Sequence, residues 1–320
     1  MQSGAAIEVQ PIIRTGSSVF REKFNRVPFL VEHSLGHHPL FAIPHLVEVA
    51  QRILDSGNPD KFVVTDFRSA AVGSRLSAMP GNAKIAAAIE RLADSGSWLK
   101  LTRAQDADPA FGRLLEQILA ELEELTGVPL SREITWATLT IFLSSPGIVT
   151  PFHMDHEANF LFQIEGEKDV CLFDPRDREL VPEEDVEIFY RGNPEAARFD
   201  EALQDHGVVY HIAPGLAVHH PPLAPHWVHN GDNVSVSASI GFCLRDLDRR
   251  AKVYQANLVL RQLGLSPVPP GRSAVRDWAK SAAVGLISAR RPKDREELLF
   301  SGVNRLKAPV KLAARLRRAG

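Results

Sequence analysis

The sequence from Thr150 to Pro175, TPFHMDHEANFLFQIEGEKDVCLFDP, contains two short runs with the pattern of β-strands, Asn159–Ile164 and Lys168–Phe173. A glycine-containing break separates them, as expected between strands. Just ahead, His153 and Asp155 stand two positions apart. Residues with that spacing on an extended strand project to the same face, so both side chains are able to reach one ion. By itself an H-x-D pair is a weak signal, because both residue types are common on protein surfaces.

The same period of two continues outward over about residues 136–244. Further runs of this kind are Thr138–Ser144, Val208–Ile212 and Val234–Phe242, which together predict an antiparallel β region. In the last run apolar residues alternate with small polar ones, namely Ser235, Ser237, Ser239 and Gly241. The small polar face is either solvated, as is common in a two-layer sheet, or lines a wet pocket inside a β-helix barrel.

Helical patterns flank the β region on both sides. The clearest lies between Asp108 and Gly127, where apolar residues recur at spacings of three and four. Asp108 as N-cap, Pro109 in the first turn and Gly127 beyond the last turn are typical of helix ends. His45–Leu54 and Asp248–Leu263 are two further candidates.

The periodicity divides the chain into three parts. We expect a mixed α/β N-terminal segment packing on the core at 1–135, a β-helix core at 136–245 and a C-terminal helical region at 246–320. The last helical pattern, Asn304–Arg318, carries basic but no acidic residues. Such a helix is either solvated or a contact surface for a partner, RNA or a lipid surface.

The composition is that of a globular protein. The chain has 320 residues, 44% of them hydrophobic and 24% charged, with a net charge of −2. This balance gives no overall basic field, so we expect no nucleic acid partner. Cys171 and Cys243 both lie in apolar segments and are expected to be buried, reduced thiols. No signal peptide or membrane span is evident, which predicts a cytoplasmic location.

A third metal ligand is available near the end of the β region. The segment PPLAPHWVHN at 221–230 places His226 at the entrance to the strand that follows. Two histidines and one carboxylate form a facial triad that leaves three positions of an octahedral iron open. His156, His219, His220 and His229 compete for the role. We interpret His156 and His229 as structural or as outer neighbours of the site, since His229 lies three residues beyond His226.

Several motifs recur at fixed offsets: T-x-x-H-x-D from Thr150, then Asn159-Phe, Gln163-x-x-Gly166, Lys168 and a strand ending L-F-x-P. Together they resemble the JmjC-domain, cupin-like oxygenases of the asparaginyl-hydroxylase branch, which depend on Fe(II) and 2-oxoglutarate. The resemblance covers about residues 136–244. It implies a mainly β fold, a double-stranded β-helix of the jelly-roll or cupin type, with flanking N-terminal and C-terminal helices.

The resemblance also implies roles for single residues. His153, Asp155 and His226 would bind Fe(II). Lys168 would pair with the distal carboxylate of 2-oxoglutarate, and Thr150 would donate a hydroxyl to it. Asn159 would lie near the head of the co-substrate, as would Ser239, which stands where close relatives often carry asparagine. A buried dicarboxylate does need a compensating cation and donors.

The implied reaction is oxygenation of a protein side chain or a small molecule, with 2-oxoglutarate converted to succinate and CO2. Hydroxylation is the default product, and demethylation uses the same chemistry. The acidic segment Arg176–Tyr210 is the expected recognition loop. Amphipathic C-terminal helices suggest a homodimer, as in some JmjC relatives.

Two other functions stay open at this point. The first is a cupin-like binding or regulatory module that keeps the metal site without turnover. The second is an isomerase or hydrolase that uses Zn or Mn on the same barrel; such enzymes usually have more histidine ligands.

Overall fold

The computed structural model describes residues 10–57, 62–66, 71–74, 79–80, 89, 91–193, 196–292 and 294–305. The strands, β1 to β12 in chain order, are Phe29–Glu32, Phe62–Asp66, Met79–Pro80, Ser97–Leu101, Ile134–Ser144, Val149–His153, Ala158–Glu165, Lys168–Leu172, Val208–Ile212, Leu216–His220, His226–Asn230 and Ser235–Leu244. The longer helices, α1 to α6, are Ser17–Lys23, Ile43–Asp55, Pro109–Thr126, Glu183–Phe189, Arg245–Gln262 and Ala274–Ile287. Short helical turns occur at Pro39–Phe41, Leu92–Ser95, Ala104–Ala107, Leu130–Glu133 and Glu201–His206. Residues 295–305 are also helical.

The strands form two antiparallel sheets. The larger has eight strands in the order β1-β10-β7-β12-β5-β4-β2-β3, and the smaller has four in the order β6-β11-β8-β9. The sheets face each other, because Leu161 and Val218 of the larger sheet pack in one cluster with Val170, Leu172 and Val228 of the smaller. This layer between the sheets is where the candidate site lies.

Helices cover the other face of the larger sheet. Phe160, Phe162 and Ile240 point away from the smaller sheet into the main core, which also includes apolar residues of α2 and α3. Strand β7 is therefore buried on both faces, and only its last residue, Glu165, is not fully buried. On β12 the serines point the other way, and all three are buried. The small polar face of this strand is thus not solvated.

The predicted helices are confirmed, with small shifts at their ends. Helix α3 begins after Asp108, whose side chain accepts a hydrogen bond from the Ala110 amide at 2.8 Å, and ends at Gly127 with φ +70°. Helix α2 spans the predicted His45–Leu54. Helix α5 begins three residues before the predicted Asp248. The basic pattern Asn304–Arg318 lies outside the described residues except for its first two positions.

The prediction of a mainly β chain is wrong. Among the described residues, helical positions outnumber strand positions, so the content is mixed. The N-terminal segment also contributes strands to the larger sheet: β1 pairs with β10, and β4 pairs with β5. It does so because the outer edge of β5 would otherwise expose unpaired backbone groups. The three-part division of the chain stays a prediction.

The turn between β7 and β8 explains one motif. Gly166 has φ +68°, and a Cβ there would lie 2.5 Å from the Val234 carbonyl oxygen. The side-chain amide of Gln163 donates from Nε2 to the backbone carbonyls of Glu165 at 2.7 Å and Gly166 at 3.0 Å. Glutamine and glycine thus fix the turn, and with it the register of Lys168 on β8. Among the described residues no helix has the length and apolar composition of a membrane span.

Candidate metal and co-substrate site

Three side chains converge at one end of the space between the sheets. His153 ends β6 and His226 begins β11, and these two residues are paired across the ladder. Asp155 follows two positions after His153. The Oδ2 atom of Asp155 lies 3.9 Å from the Nε2 atom of each histidine. The strand ladder therefore fixes the spacing of the two histidines, and the carboxylate closes the group.

Hydrogen bonds to the backbone orient both imidazoles. His153 donates from Nδ1 to the Pro151 carbonyl at 2.7 Å, and His226 donates from Nδ1 to the Ala224 carbonyl at 3.0 Å. A ring whose Nδ1 is a donor presents the Nε2 lone pair. Both Nε2 atoms face Asp155, so the donor set fits a divalent metal with two imidazoles and one carboxylate.

The electrostatics of the group fit the same assignment. Removal from water alone would raise the pKa of Asp155, but His153, His226, Arg295 and Lys100 together hold it below its ordinary value. Burial, followed by the proximity of His153, lowers the pKa of His226 to about 4. The site thus presents an ionised carboxylate and a neutral imidazole, which are the forms that bind a metal.

His156 and His229, two of the histidines that compete for the metal, lie elsewhere. His156 is fully buried and hydrogen bonds through Nδ1 to the Tyr190 hydroxyl at 2.8 Å and through Nε2 to Asp248 at 3.0 Å. His229 is exposed on β11, on the opposite face from His226. Both therefore stand outside the ligand group, as expected.

The neighbouring pair on β10 differs in its surroundings. His219 accepts from the Asn25 amide at 3.1 Å and donates to the Asn159 carbonyl at 3.0 Å, so its ring is satisfied. His220 lines the cavity beside the metal group, with its ring centroid 4.7 Å from that of His226. Among the described residues neither of its buried nitrogens has a hydrogen-bond partner. The sequence presented it only as a competitor for the metal.

A cavity of about 150 Å³ extends from the three ligands between the sheets. All four predicted co-substrate residues line it: Thr150, Asn159, Lys168 and Ser239. The Ser239 hydroxyl donates to the Asn159 side-chain oxygen at 2.7 Å. Ser239 on β12, at the position where close relatives often carry asparagine, thus supports Asn159 directly.

Lys168 is a buried cation on the cavity wall. Its side chain is only 4% exposed. The alternation of β8 places it on the same face as Val170 and Leu172, which pack between the sheets, while Cys171 and Phe173 pack outside the smaller sheet. In the described part of the chain no carboxylate lies within 4.0 Å of its ammonium, and burial lowers its pKa to about 7. A buried lysine without an anion is a site that favours one.

Sequence reasoning missed the far wall of the cavity. It consists of Trp98, Lys100, Thr138, Thr140, Phe142, Ser144, Glu157 and Arg295. Arg295 forms an ion pair with Glu157 at 2.5 Å. Trp98 and Lys100 come from β4, ahead of the region with recognisable motifs, and Arg295 comes from the C-terminal helical region. No pattern in the sequence joins these distant segments; only the alternation of β5 could have indicated Thr138 and Thr140.

The predicted recognition loop is not part of this wall. Arg176–Tyr210 contains α4 and a short helix, and Phe189 and Tyr190 are buried in a separate core cluster. These aromatic residues pack against the outer face of the smaller sheet, because a helix with an apolar side buries it. Phe189 and Tyr190 are therefore core residues, and substrate recognition by the rest of Arg176–Tyr210 stays a prediction.

Comparison with known proteins gives the family. The model of the cupin-like domain family matches residues 56–243, more than half of the chain, and the chain belongs to this family. No curated protein matches it significantly. Among solved structures it is similar to ycfD of E. coli, with 15% identity and a TM-score of 0.50 over 89% of this chain and 70% of that one.

Two further structures, of YcfD described as a ribosomal oxygenase from Escherichia coli, are also similar. One is in complex with cobalt and succinic acid, at 14% identity and a TM-score of 0.48 over 90% of this chain and 70% of that one. The other is in complex with cobalt and 2-oxoglutarate, at 14% identity and a TM-score of 0.47 over 95% of this chain and 67% of that one. At 15% identity, the similarity to the first of the three structures supports the fold alone.

Proposed function

We propose that the chain is an oxygenase that depends on Fe(II) and 2-oxoglutarate. One observation carries the proposal: two imidazole Nε2 atoms and one carboxylate converge at a small cavity, which also contains a buried lysine that has no carboxylate partner among the described residues. The first feature suits a metal with open positions, and the second suits a dicarboxylic acid beside it. The two facing sheets support a double-stranded β-helix as the scaffold.

In this proposal each residue has a defined task. His153, Asp155 and His226 hold the iron, with the two Nδ1 hydrogen bonds keeping the rings in place. Lys168 binds the distal carboxylate of 2-oxoglutarate. Bound together, the iron and 2-oxoglutarate supply the oxidising chemistry, with release of succinate and CO2.

The neutral residues complete the co-substrate site. Thr150 adds a hydroxyl donor beside Lys168, and Asn159 is held by Ser239 near the metal end. The apolar layer of Val170 and Leu172 excludes water from the ammonium, which strengthens its attraction for a carboxylate. Hydroxylation is the default product, on a protein side chain or a small molecule.

The two alternatives are less well supported by the geometry. A module without turnover would not need a second anion site next to open metal positions. A zinc hydrolase or isomerase usually has more histidine ligands, and within the described residues the ligand group has three members, with His220 outside it.

The partner predictions also stay proposals. Helix α6 exposes Val275, Trp278 and Leu286, each more than 70% exposed, which suits a homodimer through the C-terminal helices. Truncation near Val268 is expected to convert such a dimer to a monomer. A full-length chain that sediments as a monomer at micromolar concentration contradicts it. Absence of nucleic acid binding and a cytoplasmic location remain predictions.

Anaerobic spectroscopy tests the proposed function. Fe(II) and 2-oxoglutarate are added to the protein without oxygen, and the weak visible charge-transfer band of the chelate is recorded. We expect the band in the wild type and its absence in Asp155→Ala, while His229→Ala retains it. A wild-type mixture that stays colourless contradicts the proposal.

A further inference from the structure

The far wall of the cavity contains a second lysine that the proposed function does not use. Trp98 and Lys100 alternate on β4 and point to the same face as Phe142, the β5 partner of Lys100. The Trp98 ring stacks on Phe142 with centroids 5.2 Å apart. The Lys100 ammonium lies 5.8 Å from the Phe142 ring centroid. The aromatic pair thus supports an ammonium group inside the cavity.

Lys100 has no acidic partner among the described residues within 4.0 Å of its ammonium. Of the two carboxylates that line the cavity, Glu157 is already paired with Arg295 and Asp155 belongs to the metal group. Burial lowers the pKa of Lys100, and the charges of Asp155 and Glu157 partly oppose this. Within the described part of the chain, the Lys100 cation therefore has no counterion of its own in the cavity.

With iron and 2-oxoglutarate bound, the charge of Lys100 is the one among the described cavity residues that is not balanced. The two positive charges of Fe(II) and the one of Lys168 are balanced by Asp155 and the two carboxylates of 2-oxoglutarate. The pair of Glu157 and Arg295 is neutral. One positive charge, that of Lys100, remains without compensation, and an unpaired charge in such a cavity is costly. An anionic group of the substrate would remove this cost.

The size of the cavity limits how much of a substrate enters. Its volume of about 150 Å³ is well below the roughly 300–1,000 Å³ of sites for drug-sized ligands. There is room for a small co-substrate and one further functional group. The part of the substrate that reaches Lys100 is thus a single small group.

We propose that Lys100 binds a carboxylate of the substrate, which is therefore an acidic compound or an acidic side chain. The Lys100 ammonium would donate to this carboxylate over the Phe142 ring, with Trp98 closing the side. The inference rests on the proposed function, because the charge count assumes iron and 2-oxoglutarate in place. It names the substrate class that the proposed function leaves open.

The test uses matched acidic and neutral probes. The full chain is loaded with Mn(II) and 2-oxoglutarate, which prevents turnover and occupies the Lys168 position. The probes are the N-acetyl amides of aspartate and glutamate and, as isosteres, those of asparagine and glutamine. Affinities are measured by calorimetry. We expect each acid to bind at least about tenfold more tightly than its isostere, the equivalent of one hydrogen bond to a charged group.

Variants assign the preference to one side chain. Lys100→Gln and Lys100→Met are expected to abolish the preference for acids, whereas Lys100→Arg retains it. Lys252→Gln, at a half-buried lysine of α5 that is not among the residues lining the cavity, is the matched control and keeps the wild-type preference. Thermal melting confirms which variants fold, and either neutral variant at Lys100 suffices.

Three outcomes overturn the proposal: acids and isosteres bind equally, no probe binds, or the preference survives in the folded neutral variants. Failure of the proposed function gives a different result, because 2-oxoglutarate then does not bind to the Mn(II)-loaded wild type. Acid binding that is lost in Lys168→Met but kept in Lys100→Gln means that the probe occupies the co-substrate position, which also overturns the proposal.

Discussion

The two walls of the cavity differ in what they contain. The wall from the four-stranded sheet contributes Thr150, His153, Lys168 and His226, which are polar groups with fixed backbone positions on paired strands. The wall from the eight-stranded sheet contributes mainly neutral side chains, namely Thr138, Thr140, Phe142, Ser144 and Ser239, with Lys100 as its cation. The difference indicates that the smaller sheet supplies the charged groups for metal and co-substrate, whereas the larger sheet adds Asn159 and Ser239 to the co-substrate site and faces the substrate through Lys100.

The two walls also differ in how their groups are held. On the smaller sheet, His153 and His226 are ladder partners, and each donates from Nδ1 to a backbone carbonyl. On the larger sheet, the Lys100 ammonium lies over the Phe142 ring, without a carboxylate within 4.0 Å among the described residues. Groups that are held rigidly suit a defined metal geometry, whereas a long flexible side chain suits recognition. Changes in the two walls should therefore affect different measurements.

The largest effects are expected at the metal group. His153→Ala, Asp155→Ala and His226→Ala each remove one of three protein ligands, so Fe(II) affinity should fall by more than about 100-fold, beyond the loss typical of an outer-sphere partner. Metal titration of the three variants measures this. His229→Ala is the control, because its side chain points away from the site. If His229→Ala loses Fe(II) affinity while His226→Ala retains it, His226 is not the third ligand.

The next largest effect concerns Lys168. Lys168→Met leaves a carboxylate of 2-oxoglutarate unpaired in a buried site, which costs about 3–5 kcal/mol. Affinity for 2-oxoglutarate should fall by about two to three orders of magnitude, with Fe(II) affinity nearly unchanged. Thr150→Val should weaken it less, by about 1–3 kcal/mol. Calorimetry with Mn(II) in place of iron measures both. Wild-type affinity in Lys168→Met would refute the co-substrate assignment.

The affinity for 2-oxoglutarate should also depend on pH. Burial lowers the pKa of Lys168 to about 7 in the free protein, and only the protonated form attracts the carboxylate. Affinity should be constant below about pH 7 and fall by up to about tenfold per pH unit above it, because binding must then take up a proton. Calorimetry in buffers of different ionisation enthalpy measures this uptake. Uptake that persists in Lys168→Met would assign the proton to another group.

The same lysine affects stability in the opposite direction. Its folded pKa lies below its unfolded value of 10.5, so the folded protein binds fewer protons between these values. Stability without ligand should therefore rise with pH from about 7 to 10.5, and the full cost of the buried charge should be present below about pH 7. Chemical denaturation of the wild type and Lys168→Met over this range measures the difference. If the free energies of unfolding of the two proteins change in parallel with pH, Lys168 is not the group responsible.

The smallest effect is expected on the wall of the larger sheet. Ser239→Ala removes the donor to the Asn159 side-chain oxygen, one hydrogen bond worth about 1 kcal/mol. Affinity for 2-oxoglutarate should fall only several-fold, and Fe(II) affinity should not change. Ser237→Ala is a useful comparison, since that hydroxyl donates to Gln163 instead. A loss in Ser239→Ala as large as in Lys168→Met would remove the distinction between the walls.

Local patterns predicted the positions of the residues on the smaller wall and of Asn159 and Ser239 on the larger one. Alternation on β8 and β12 indicates which side chains point inward, and H-x-D on one strand brings two groups to one face. The caps of α3 were equally readable, because they depend on neighbouring residues. Trp98, Lys100 and Arg295 could not be predicted, since β4 and the helix at residues 295–305 reach the cavity only through long-range packing. Within Arg176–Tyr210 the composition did not separate core aromatics from candidate recognition residues: Phe189 and Tyr190 pack in the core.

The most direct test of the account is the conversion of isotopically labelled 2-oxoglutarate to succinate. The protein is loaded with Fe(II) and labelled 2-oxoglutarate without oxygen and then exposed to O2, and labelled succinate is measured by mass spectrometry. We predict succinate formation in the wild type and in His229→Ala, and its loss in His153→Ala and Asp155→Ala. Succinate formation that is equal in all four proteins, or absent from a wild type that binds both metal and 2-oxoglutarate, would contradict the proposed oxygenase.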